Sequence, residues 1–261
     1  MTQTRPGLDI QVSEPLGIIT LANPPLNFLS VDLLGQIADA VDALDGDARV
    51  RCIVLRAAGK TFCAGADLVG GAAGESGAQG LAAIRRLYDH AARLFARAKP
   101  MIAVINGAAV GAGLGLALSA DFRIASPLAR FSANFVALGF HPGFAISCTL
   151  PRVVGAQRAA WMMLSADRVK GEQALEWGLV DRLAAPEALD EAALAMARQV
   201  AANGPLALVE VRATMTRGLA QDVAATLDHE LARQTVLRET ADYAEGVAAV
   251  FERREARFTG R

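Results

Sequence analysis

An α/β fold is predicted by three features of the chain: short β-rich runs alternate with helical segments through the first half, a five-residue apolar run feeds a glycine-rich turn, and Ala-rich helices take over after Gly155. In order, Ile18-Ile19-Thr20-Leu21 reads as a strand. The next element is a helix after Ser30 with Val31, Leu34, Ile37, Val41 and Leu44 on one face and Ser30 as its N-cap. Cys52-Ile53-Val54-Leu55 is the next strand, and a helix from about Gly80 to Ala98 stops before Pro100. The strand Met101–Ile105 follows and opens into the turn. Beyond Gly155 only 179–183 looks extended. Pro186 starts a helix that Gly204-Pro205 ends, and two more are predicted over roughly 206–217 and 221–253. The chain divides into a core over 1–200 and a helical region over 201–261.

The 261 residues are 53% apolar, and 26 Lys and Arg balance 27 Asp and Glu. Such a chain buries a large core and carries no basic patch for nucleic acid or a membrane surface. Three cysteines without paired or ligand-type spacing fit a reducing cytoplasm, and the three histidines show no metal spacing, so no metal is expected. The N-terminal residues lack the apolar core of a signal peptide, and no stretch reaches eighteen apolar residues, which predicts a cytoplasmic protein with no membrane partner. The segment Gly70–Gly77 is small, polar and glycine-rich and reads as a surface loop.

The chemistry concentrates in two glycine turns. The segment "GAGLGLALSADF", residues 111–122, places Gly111, Gly113 and Gly115 where a helix begins, although each glycine in a helix interior costs about 1 kcal/mol relative to alanine. A strand that ends in a small-residue turn can offer free N–H groups to a negatively charged oxygen; close helix packing is the competing explanation. A second turn, "GKTFCAGADL" at 59–68, follows the strand at 52–55. Together with "KPMIAVINGAAVGAGLGLALSADFRIA" at 99–125, "NPPLNFLS" near the start, "LPRVVGAQRA" at 150–159, "ALEWGLVDRL" at 174–183 and "EGVAAVFERREARF" at the end, the chain resembles the crotonase superfamily, the enoyl-CoA hydratase and isomerase group.

The resemblance implies a crotonase-like β-β-α spiral core with C-terminal helices that assemble homotrimers or dimers of trimers. It implies an acyl-CoA substrate and no cofactor beyond that substrate's coenzyme A moiety. By motif position, the N–H groups of Ala66 and Ala112 form an oxyanion hole for the thioester carbonyl, with Gly111 preceding the second donor. Coenzyme A is implied along Leu26, Ala64 and Leu68, and Asp67 beside the first turn is read as mainly structural.

The chain departs from the hydratase pattern at its acids. Hydratases carry two glutamates where this chain has Gly115 and Phe135, and neither moves a proton. Gly143 stands where the halobenzoyl-CoA dehalogenase branch places its nucleophilic aspartate, and the loop 139–143 lacks the aspartate of other branches. That loop carries His141, a candidate general acid or base, with backbone hydrogen bonding as the alternative role. Phe135 makes the acyl pocket drier. Tyr88 and His90 follow the surface loop, where some relatives line the acyl pocket, although core or surface placement is the commoner fate. Ser132, Asn134 and Cys148 are further polar residues without an evident activating partner.

The expected function is enolate chemistry on an acyl-CoA thioester, with inefficient hydration. Two alternatives stand beside it: a non-catalytic acyl-CoA binding protein that kept the hole and lost the acids, and a hydratase that recruits Glu75 from the surface loop.

Overall fold

The computed structural model describes residues 2–67 and 77–261. Its main sheet begins as an antiparallel meander, β1 (Thr2–Arg5), β2 (Leu8–Ser13) and β3 (Leu16–Leu21), and continues in parallel through β4 (Cys52–Ala57), β5 (Met101–Ile105), β7 (Phe122–Ala125) and β10 (Arg182–Leu183). A second sheet joins β6 (Ala108–Val110), β8 (Arg130–Ser132) and β9 (Val169–Lys170).

The parallel strands are continuous apolar runs because both faces of the sheet are covered. Ile19, Leu21, Ile53, Leu55, Met101, Ala103 and Ile105 enter the main core. Ile18, Cys52, Val54, Ile102 and Val104 point the opposite way and are covered by Leu189, Ala193, Met196 and Ala197 of helix α7 (Leu189–Ala201). The main face packs on helix α1 (Val31–Gly46), α1 on α2 (Gly77–Ala96), and α2 in turn on α9 (Leu219–Leu237).

Ser30 caps α1 as expected, its Oγ accepting from Leu33 N at 3.0 Å. Met101–Ile105 is a strand with the predicted ends, and Pro186 opens a short 3-10 turn leading into α7. Three expectations change. The β1–β2 hairpin is present but was not predicted. Only Arg182–Leu183 of the 179–183 stretch pairs with β7. The single helix expected over 221–253 is two, α9 and α10 (Ala241–Glu252), because Thr240 caps a fresh start by accepting from Tyr243 N at 3.1 Å. That break brings α10 against the turn at 136–138, where the Phe140 and Tyr243 rings stack at 4.8 Å. Helices α3 (Ala112–Ser119), α4 (Ile146–Val154), α5 (Ala156–Ser165), α6 (Gly171–Glu176) and α8 (Pro205–Met215) complete the described chain.

Candidate active site

The first glycine turn is held from both sides. Cys63 N donates to Ala108 O at 2.9 Å and Val110 N to Cys63 O at 3.0 Å, which ties it to β6. On the other side Ala64 N donates to Leu26 O, Leu29 N to Gly65 O and Asp67 N to Leu29 O, all at 2.9 to 3.0 Å. In this parallel bridge between Leu29 and Ala66, the partner strand uses the carbonyl before Ala66 and the amide after it. Ala66 therefore turns its own N–H the other way, and that N–H has no hydrogen-bond partner among the described residues. Asn27 braces the same turn from a left-handed backbone at φ 51°, its Nδ2 donating to Ala58 O at 3.1 Å and Thr61 O at 2.7 Å.

The second turn leaves the second free amide. Gly111 N is taken by Ser132 O at 2.9 Å, and Gly111 then adopts φ 53° to begin α3. Ala112 is the first residue of that helix, so its N–H has no acceptor within it, and it has none elsewhere among the described residues. Ala66 and Ala112 both line one cavity of about 100 Å³. Two uncommitted peptide donors from residues lining one cavity, one of them at a helix N-terminus, suit an oxygen that carries negative charge.

The three glycines of this turn have three different reasons. Gly111 supplies the positive φ. A Cβ on Gly113 would lie 2.1 Å from Cys63 O, so this glycine lets the two turns lie backbone to backbone. A Cβ on Gly115 would lie 2.6 Å from the Phe144 ring and its Cβ. Close packing thus accounts for Gly113 and Gly115.

The remaining cavity wall is mostly apolar. Phe135, Leu138, Phe140, Gly143 and Phe144 come from the 135–144 loop and Ile84, Leu87 and Tyr88 from α2. Tyr88 is buried, which corrects the expectation only in part, because it is at once a core residue and a lining one. Its hydroxyl donates to Gln234 Oε1 at 2.9 Å, and Gln234 Nε2 donates to His141 O at 2.9 Å and Pro142 O at 3.3 Å. Burial and the nearby Glu230 hold the Tyr88 phenol well above its ordinary pKa. Gly143 is required there, since a Cβ would sit 2.2 Å from Tyr88 Oη. Tyr88 is the one titratable side chain among the described residues of the lining.

His141 does not join them. Its neighbours Phe140 and Gly143 line the cavity, whereas its ring is half-buried on the other side of the loop. There Nδ1 lies 2.8 Å from Pro142 O and the ring meets His229 edge-on at 6.0 Å. His90 is likewise turned away, against Gly35 of α1. Leu26 reaches the site through its carbonyl and is otherwise exposed, Asp67 is half-buried beside the first turn, and Leu68, with Glu75 and the rest of 68–76, lies outside the described residues.

Sequence reasoning missed Glu230. It is fully buried on α9 with Oε2 accepting from Ala145 N at 2.8 Å and Oε1 from Ser147 N at 3.2 Å and Ser147 Oγ at 2.6 Å. Burial pushes its pKa up to about 7 against those bonds. It clamps a turn in which Phe144 and Ala145 both take positive φ, at 61° and 56°. A signal existed: Val223, Leu227, Glu230, Leu231 and Gln234 form one buried stripe of α9, and two polar residues four apart in such a stripe mark a site for hydrogen bonding.

Cys52 and Cys63 are buried free thiols whose pKa values burial raises to about 12, consistent with packing roles. No described helix is long and apolar enough to cross a membrane.

The chain as a whole is similar to proteins of one family. The enoyl-CoA hydratase/isomerase family model matches residues 11–261. The 1,2-epoxyphenylacetyl-CoA isomerase of Escherichia coli (strain K12) is 34% identical over 251 residues, covering 94% of this chain and 96% of the relative. The crotonyl-CoA hydratase of Syntrophomonas wolfei subsp. wolfei is 33% identical over 257 residues, covering 95% and 96%. A crystal structure of an enoyl-CoA hydratase/isomerase from Pseudoalteromonas atlantica T6c superposes with a TM-score of 0.86 at 30% identity, covering 97% of this chain and 100% of that one. With the match running through both glycine turns and the α9–α10 end, the chain belongs to the enoyl-CoA hydratase/isomerase family.

Proposed function

We propose that the protein is an acyl-CoA enzyme that polarises a thioester carbonyl between the peptide N–H groups of Ala66 and Ala112. The observation that carries this reading is that both donors lack a protein partner among the described residues and line the same cavity. Such polarisation acidifies the α-carbon and stabilises an enolate, and removing one donor of this kind costs roughly 3 to 4 kcal/mol of transition-state stabilisation. Coenzyme A would approach past Leu26 and Ala64, and the enzyme needs no further cofactor. Hydration by two glutamates is not part of this reading. Gly115 and Phe135 carry no proton, and each missing acid or base costs about 10²- to 10⁴-fold. His141 is left out of the chemistry because it does not line the cavity.

A second reading, an acyl-CoA binder without turnover, is favoured by one observation: no carboxylate or imidazole is among the described residues of the lining. Exposed Leu164 of α5 and Leu206 and Met215 of α8 leave apolar surface that the trimers or dimers of trimers implied by the resemblance would have room to cover.

The test compares butyryl-CoA with its thioether analogue, which lacks the carbonyl. Titration calorimetry is expected to show the thioester bound about tenfold tighter, the worth of one strong or two modest hydrogen bonds. Equal affinity would overturn the two-amide reading. Loss of α-proton signal from butyryl-CoA in deuterated buffer separates enzyme from binder.

A further inference from the structure

Three guanidiniums are buried where the sheet meets the C-terminal helices: Arg97, Arg123 and Arg212 are 3%, 5% and 8% exposed. Arg97 and Arg212 share one carboxylate, that of half-buried Asp121. The Arg123 guanidinium donates only to carbonyls, Leu179 O at 2.7 Å, Ala120 O at 2.8 Å and, at the limit of a hydrogen bond, Asp121 O at 3.5 Å. Its neighbour Asp181 is exposed and accepts from the Arg123 backbone N–H instead. Buried charge is costly unless it is paired, and here the cations outnumber the carboxylates. The guanidiniums register the shortage: burial and the nearby charge of Arg212 push Arg97 down to about 10, and burial pushes Arg123 below its ordinary value as well.

Beside this cluster lies a cavity of about 130 Å³ whose walls include Asp121 and Arg123, Arg152 of α4 and Arg212 of α8. No described residue lines both this cavity and the one between the glycine turns. Its walls have donor capacity left over. Arg212 commits Nε to Asp121 and Nη1 to Arg97 O, and its Nη2 has no partner among the described residues. The described side-chain N and O atoms shut off from solvent without a partner are Gln36 Oε1 and Asn106 Oδ1, so solvent reaches Arg212 Nη2. Exposed Arg152 commits only Nη2, to Asp222. Planar forks with hydrogens to spare and an excess of positive charge suit an oxyanion that accepts from several guanidiniums at once. The space holds such an ion in place of a few waters. Asp121 stands in the same wall, but two guanidiniums already neutralise it.

We propose that this cavity is a binding site for a small tetrahedral oxyanion of the phosphate or sulfate class, held by Arg123, Arg152 and Arg212. The bound ion supplies the missing negative charge and ties α4 and α8 to β7. The site is separate from the acyl-CoA reading and does not depend on it.

The experiment titrates inorganic phosphate into the full-length protein and its Arg152→Gln and Arg212→Lys variants by calorimetry, in chloride buffer at constant ionic strength. The unsubstituted protein is expected to show one saturable event with a Kd on the order of 1 mM, the strength of about two charge-assisted hydrogen bonds. Arg212→Lys keeps a charge beside Asp121 and loses the fork, and Arg152→Gln changes only the exposed rim; each should weaken binding about threefold or more. In urea unfolding, phosphate should raise the midpoint of the parent by more than that of either variant, since general stabilisation by phosphate acts on all three alike. Should Arg212→Lys not fold, Arg152→Gln decides. Absence of saturable binding, or binding and stabilisation undiminished in the variants, overturns the site.

Discussion

At position 230 a carboxyl group is buried with three hydrogen-bond donors, none of them a cation, and burial raises its pKa to about 7. The sign of the pH effect follows. A glutamate whose folded pKa stands near 7 and whose ordinary value is 4.5 binds its proton more tightly when folded. Its contribution to stability is therefore complete below about pH 4.5 and is lost as pH rises through about 7. Glu230→Gln, which cannot ionise, should remove that slope, although its amide nitrogen cannot accept as the second carboxyl oxygen does and one backbone donor of the turn loses its acceptor. Urea unfolding is expected to find the variant less stable than the parent at pH 5 and gaining on it between pH 5 and pH 8, by on the order of 3 kcal/mol at most. A parent that is no less stable at pH 8 than at pH 5 relative to the variant would refute the assignment. The residue acts by positioning: it holds the Phe144–Ser147 turn, and Phe144 is the wall of the cavity.

Elements meet at glycines here, and that makes the second turn intolerant. A Cβ on Gly113 would press on the Cys63 carbonyl, which is backbone and pinned to β6, and relief requires the two turns to separate. Gly113→Ala is expected to cost about 1 to 3 kcal/mol or more in urea unfolding and to weaken acyl-CoA binding with it. Gly115→Glu, which puts a glutamate where the sequence resemblance implies the first hydratase acid, should not bring hydration. The incoming side chain meets Phe144 at 2.6 Å from its first carbon, so the variant is expected to be destabilised and to show no gain in crotonyl-CoA hydration. A stable variant with a clear gain would show that the loop yields more readily than its packing indicates.

For the molecule as a whole, one carboxylate joins the sheet to the C-terminal helices. Asp121, at the head of β7, receives Arg97 Nη2 at 2.5 Å from the end of α2, Arg212 Nε at 3.0 Å from α8 and Met101 N at 2.8 Å from β5. Burial works against its charge, but the two guanidiniums prevail and hold its pKa below the usual carboxylate range. Both arginines are nearly buried, so Asp121→Ala leaves two cations in a protein interior without their partner. The expected loss is about 3 to 5 kcal/mol in urea unfolding, well beyond that of a surface ion pair. A loss below about 1 kcal/mol would place the pair among surface-like bridges.

What the sequence determined by itself was local or repetitive. Ser30 announced its helix through a cap that needs only three residues. The strand at 101–105 announced itself as an apolar run, and the two glycine turns through backbone requirements written into residue type. The amides of Ala66 and Ala112 were reached through the family resemblance, by motif position, and such a match carries over because a peptide N–H depends on position in a turn and not on the side chain. Tertiary structure decided the rest. Phe140 and Gly143 line the cavity while the His141 ring meets His229 of α9 instead, and only the packing of that helix decides which residue of the loop faces where. Glu230 meets Ala145 and Gln234 meets Tyr88 across separations of 85 and 146 residues. Side chains that far apart become neighbours only when burial of the helices between them brings them together, and local propensity carries no record of that meeting.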